Sequence, residues 1–211
     1  VMKELGIIIA ILMAGGLVAL LYHRAKQRQR REVRAIPLSE ADRSLLQKEV
    51  PLYAALPAEF TKEMDARIQV FLHQVGFEPC GQLEEVTREM QLIIASQACL
   101  LLLASGYDHF GLLRSVLVYP DAYEVRDELG IKSIRLGESG VSGSVVLSWE
   151  SVRQGSRNEE DGLNVVIHEF AHQLDQADGQ AAGAPILGSS EQYERWQSVC
   201  SKVFTDLQAK V

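Results

Sequence analysis

The stretch "LNVVIHEFAHQLDQADG", residues 163–179, constrains this chain more than any other, because its apolar and its chemically active residues follow one helical period. With Leu163 at zero and about 100° per residue, Val166, Ile167, Phe170 and Leu174 fall within about 60° of it, a stripe suited to a core. His168 lands at about 140° and His172 at about 180°, on the opposite face. Side chains at i and i+4 point the same way, so two imidazoles one turn apart can grip a single metal ion. Glu169 falls at about 240°, beside that face but too far round to join as a ligand in the same plane.

That division of labour suits zinc hydrolysis. Zinc accepts neutral nitrogen ligands, keeps a position for water and lowers its pKa towards ~7. A neighbouring carboxylate that does not hold the metal then takes the proton and later returns it to a leaving amine. A chance HExxH in a chain of this length has odds on the order of one per cent, and fewer such matches would show the histidines on the solvent face of a helix. His168 and His172 are therefore the candidate ligands, Glu169 the candidate general base and Zn2+ the expected cofactor. Asp175, two turns beyond His168, could accept a ring N–H and fix the tautomer. Catalytic zinc normally has three protein ligands. In the pattern HExxHxxGxxH the third stands six residues after the second histidine, where this chain has Asp178, but Asp175 replaces the turn glycine.

Residues 5–22, "LGIIIAILMAGGLVALLY", are eighteen positions without a charge. As a helix they rise about 27 Å, against a hydrocarbon core of roughly 30 Å. Six basic residues and one acid follow between Arg24 and Arg34, which leaves −12 on residues 35–211. The expectation is a transmembrane anchor over 1–23, a basic juxtamembrane linker over 24–36 and a catalytic domain over 37–211. The positive-inside rule places that domain on the cytoplasmic side of the inner membrane, in a single-pass arrangement. An acidic body argues against nucleic acid as a partner. Cys80, Cys99 and Cys200 form no CxxC pair, so reduced and mostly buried thiols are expected rather than a disulfide framework or a zinc ribbon.

Ser39, three residues before Asp42, opens a short helix, and a second helix covers 59–75. A third, over 83–104, is apolar nearly all round and reads as the central buried helix. "SVLVYP" and "VVLSWESV" read as strands. Residues 124–136 are ambiguous between them, and "GESGVSGS" reads as a flexible loop whose GxxGxxG spacing is not a phosphate-binding fingerprint. A last helix spans about 190–208. Helices, then a few strands, then the HEFAH helix make the domain α+β.

"NVVIHEFAHQLD", with "LSW", "IIASQACLLLL" and "VYP" upstream, resembles the Mlc titration factor A (MtfA) family of zinc metallopeptidases over about residues 45–208. The resemblance implies a zincin-like fold, zinc on His168 and His172, and Glu169 as general base. It also implies that "VVLSW", with Val146, Leu147, Ser148 and Trp149, is an edge strand along which a peptide substrate lies by β-augmentation. The family's third ligand is a glutamate on a later helix that has no counterpart before Val211. With Val1 in place of methionine, this leads us to expect a chain incomplete at its C-terminus. The function so implied is a membrane-anchored zinc peptidase with an aminopeptidase-like preference. The alternative is a regulatory protein that binds and sequesters a transcriptional repressor.

Overall fold

The computed structural model describes residues 2–103, 110–111, 113–126, 132–135, 137–140, 143–158, 162–176 and 187–209. Helix α1 (Met2–Arg34) runs unbroken through the basic stretch. Instead of a free linker, its second half packs on helix α4 (Ala58–Gln74). Arg34 pairs there with Glu63, and Gln29 Nε2 lies 2.8 Å from His73 Nε2. His73 is thus a partnered surface histidine. Just past α1, Gln69 donates to the Pro37 carbonyl at 3.0 Å.

Among the described residues no helix is long and apolar enough to cross a membrane, which corrects the expectation of a single-pass anchor and of an inner-membrane location.

Helix α2 (Glu40–Glu49) starts where Ser39 accepts a hydrogen bond from the Asp42 backbone N–H, and the one-turn α3 (Pro51–Ala54) follows. Helix α5 (Arg88–Leu103) buries Leu92, Ile93, Ile94, Ala95, Ala98 and Cys99 on all sides, as a helix apolar nearly all round must. It starts later than the sequence pattern suggested and packs against α2, α4, α6 (Trp149–Arg157) and α7 (Val165–Asp175).

Strands β1 (Gly76–Pro79), β2 (Ser115–Tyr119), β5 (Gly137–Gly140) and β6 (Ser144–Ser148) form one sheet in the order β1-β2-β6-β5. The first three are parallel and β5 is antiparallel to β6. Val116, Val118, Val145 and Leu147 alternate onto its core face and are fully buried. The ambiguous stretch is a hairpin, β3 (Tyr123–Arg126) against β4 (Lys132–Arg135).

Two expectations are corrected here. Part of the supposed loop "GESGVSGS" is strand β5. And β6, which carries "VVLS", is not an edge: it hydrogen-bonds β2 on one side and β5 on the other, so Val146, Leu147 and Ser148 have no open backbone for a peptide. Leu147 and Ser148 are wholly buried, Ser148 Oγ accepts from the Ser151 N–H as the N-cap of α6, and Trp149 is already helical.

Phe170 of α7 closes the core against Phe71 and Phe110, with ring centroids 5.6 Å and 4.9 Å away. The three cysteines are free; Cys99 is buried, and burial pushes its thiol far above the usual range. Helix α8 (Ser190–Gln208) buries none of its residues.

Candidate active site

The site begins with how α7 starts. Asn164 is its N-cap: the side-chain Oδ1 accepts from the Ile167 N–H at 2.9 Å, and the backbone carbonyl accepts from His168 N–H at 3.0 Å. A cap of this kind satisfies donors that the first helical turn leaves open. Its amide nitrogen also donates to Gln97 Oε1 of α5 at 2.6 Å and to the Gly155 carbonyl of α6 at 3.2 Å. Gln97 is wholly buried, and its own Nε2 donates to the Ile93 carbonyl at 3.2 Å. One asparagine therefore ties the active helix to two others. Gly155 must be glycine for that junction to close, because a Cβ there would stand 2.7 Å from the Leu163 carbonyl oxygen.

From this start the helical period turns Val166, Phe170 and Leu174 into the core and leaves His168 and His172 exposed. Their ring centroids are 4.8 Å apart, with the rings nearly perpendicular. Glu169, between them in sequence, is only 7% exposed. It lies under strand β5, where a Cβ on Gly137 would come within 2.8 Å of Glu169 Oε1 and 2.7 Å of Val165 Cγ2. The edge strand approaches the carboxylate so closely only because residue 137 has no side chain. Beside Glu169 opens a cleft of about 390 Å³, lined by Gly137, Ser151, Gln154, Leu163, Val165 and His168 among others.

The structure thus brings His168, Glu169 and His172 together on one helix with the histidines outward. Two exposed imidazoles on one face are the nitrogen donors that zinc prefers, so these residues fit the metal as two of its ligands. Among the described residues no group of three or more His, Cys, Asp and Glu side chains is placed to hold a metal. Asp178 lies outside the described residues. Asp175, the last residue of α7, is half-buried. The residues 146–149 lie within the sheet and at the start of α6, and it is β5 that borders the site.

Sequence reasoning missed Asn164, Gln97, Gly137, Gly155 and the cleft residues Ser151, Gln154 and Leu163. Asn164 could have been found, since an asparagine directly before the first apolar turn is a helix-start signal. Leu163 was placed on the core stripe, but it precedes the N-cap and is 69% exposed.

An HExxH helix against a small mixed sheet defines a metallopeptidase class, and the sequence comparisons agree. Residues 24–211 match the family described as glucose-regulated metallo-peptidase M90, and the chain belongs to that family. It is 37% identical over 180 residues to an uncharacterized protein of Synechocystis sp., covering 81% of this chain and 65% of that protein. It is 33% identical over 147 residues to Mlc titration factor A of Pectobacterium atrosepticum, covering 65% of this chain and 54% of the relative. Against Mlc titration factor A of Escherichia fergusonii the identity is 30% over the same extent. The resemblance to the Mlc titration factor A family is therefore borne out. The chain spans less than two thirds of the length of these relatives.

Proposed function

We propose that this chain is a zinc-dependent peptidase in which His168 and His172 hold the metal and Glu169 is the general base. The observation that carries the reading is a buried carboxylate set between two exposed histidines of one helix, at the mouth of a cleft bordered by a sheet edge. Zinc, when bound, supplies Lewis acidity towards a water and a carbonyl oxygen. Glu169 takes the proton of the attacking water and delivers it to the departing amine. Its burial under β5 keeps that carboxylate in one place, and a fixed base is what proton transfer needs. Strand β5 pairs with β6 on one side and, among the described residues, with no strand on the other. An extended peptide hydrogen-bonded along that outer side would pass directly over Glu169. Asp175 belongs to the same reading as the carboxylate that fixes a ring tautomer.

The test is hydrolysis of internally quenched peptides by the zinc-supplemented chain and by its Glu169→Gln variant. The variant should lose about 10²- to 10⁴-fold in rate while keeping its fold. Full activity in Glu169→Gln would remove the mechanism.

A second reading has two supports: the name "Mlc titration factor A" carried by relatives, and the apolar face of α8. In it the chain captures a transcriptional repressor, and Glu169→Gln leaves capture intact.

A further inference from the structure

Gln97 is out of place in the core. It is wholly buried on α5, a helix whose other buried residues, Ser96 apart, are apolar. A leucine or methionine would fill the same space. A buried amide costs free energy unless its polar atoms are bonded.

Both ends of this amide are bonded, and in one direction. Nε2 donates to the Ile93 carbonyl at 3.2 Å, so Oε1 is the atom that meets Asn164, whose Nδ2 donates to it at 2.6 Å. With Nδ2 committed there, Asn164 Oδ1 is turned towards α7 and accepts the Ile167 N–H at 2.9 Å. A backbone carbonyl at one end and a backbone N–H at the other thus fix how both amides point. Reversing either would set two donors or two acceptors face to face.

What this chain of bonds holds is the first turn of α7, and helix ends are where fraying starts. That turn, residues 165–168, ends on one proposed zinc ligand, and Glu169 follows directly. Val165 also meets the edge strand, since a Cβ on Gly137 would stand 2.7 Å from its Cγ2. The imidazoles of His168 and His172, with ring centroids 4.8 Å apart, stay paired only while both sit on one continuous helix. A turn that opened would carry His168 away from His172.

We infer that Gln97 and Asn164 are positioning residues for the proposed metal site: through the hydrogen bond between them, buried α5 keeps the first turn of α7 closed and so holds His168 against His172. Both act through the helix backbone. The inference rests on the zinc reading of the two histidines, and its test separates the two.

Zinc affinity is measured by competition with a chromophoric chelator for the full chain, Gln97→Met, Asn164→Ser and the double variant, well below their unfolding temperatures. Methionine keeps much of the volume and loses the amide; serine keeps an N-cap and loses the donor. Ile68→Val, a truncation at a wholly buried position of α4, controls for lowered stability. Each single variant should bind zinc about five- to tenfold more weakly, the worth of one hydrogen bond. The double variant should stay within about twofold of Asn164→Ser, because its second change removes a bond already lost. Ile68→Val should match the wild type. Unchanged affinity in both single variants, losses that multiply in the double variant, or an equal loss in Ile68→Val overturns the inference and leaves the zinc reading standing. If the wild type binds no zinc, that reading fails, and amide hydrogen exchange of the metal-free chain decides. Exchange at Ile167 and His168 that is about fivefold faster in Gln97→Met, with Phe170 unchanged, keeps the held turn. Exchange that is the same in both chains overturns it.

Discussion

Helices α7 and α8 have the same kind of pattern and opposite fates. In α7 the apolar residues recur every three to four positions, and Val166, Phe170 and Leu174 disappear into the core. In α8 Tyr193, Trp196, Val199, Val203, Phe204 and Leu207 recur in the same way, yet they are between 41% and 62% exposed. Periodicity specifies that a helix has an apolar face; it does not specify what that face meets. What distinguishes α7 is long-range support. An aromatic cluster lies beneath it, a buried Gln97–Asn164 hydrogen bond holds its start, and a strand with a glycine at the contact lies over its carboxylate. The proposed metal ligands and the proposed base ride on the supported helix. That is where positions must be held to fractions of an ångström.

The contrast is easiest to break with a pair of matched substitutions. Phe170→Ala should cost about 3–5 kcal/mol in a denaturant titration, because it opens a cavity between Phe71 and Phe110. Phe204→Ser on α8 should stay within about 0.5 kcal/mol, as surface changes usually do. Equal costs would mean that α8 has a partner in the folded chain and that the contrast is false.

Asn164 sharpens the same point. Asn164→Ala removes a helix cap worth about 1 kcal/mol and leaves the buried Gln97 oxygen without its donor, for a total of about 2–3 kcal/mol. Asn164→Asp keeps the capping oxygen but loses the donors to Gln97 and Gly155. It should recover only the cap's share, and complete recovery would show that the α5 link contributes nothing.

The smallest effect is a pH dependence at the α2–α6 contact. There Arg157 Nε and Nη2 lie 3.1 Å and 2.5 Å from Glu49 Oε2, and these bonds hold the Glu49 carboxyl below its usual range. A carboxylate with a depressed folded-state pKa adds stability above its unfolded value of about 4.3, and this is lost as pH falls through the folded value. Because Arg157 is largely exposed, Arg157→Ala should cost no more than about 1 kcal/mol at pH 7. The difference from wild type should start to shrink in acid unfolding titrations as pH falls below about 4.3 and vanish only below the depressed folded value. A cost that persists in acid would assign it to packing instead.

Much of this was legible in the sequence because it is local. The Ser39 cap, the apolar α5, strand β2 and the outward pair His168 and His172 each follow from residues within a turn or two. The parts that were not legible depend on pairing across the chain. Nothing in "GESG" announces a strand until β6 is beside it, and nothing in "VVLSW" says that β5 will cover its outer side. Gln97 and Asn164 meet across 67 positions, a separation that no periodicity reports. Leu163 shows the reverse error: it fits the helical stripe by angle, but the cap one residue later puts it outside the helix. The basic stretch after Arg24 read as a linker because it has no apolar period. It docks on α4 through polar contacts that a hydropathy pattern does not record.

The most direct test of the account is zinc binding by the full chain, measured by isothermal titration calorimetry beside His168→Ala, His172→Ala and Glu169→Gln. One-to-one binding that either histidine variant weakens at least 100-fold, and that Glu169→Gln leaves unchanged, is the expected result. Binding that survives the loss of both histidines, or that disappears with Glu169→Gln, would contradict the assignment of two ligands and a base.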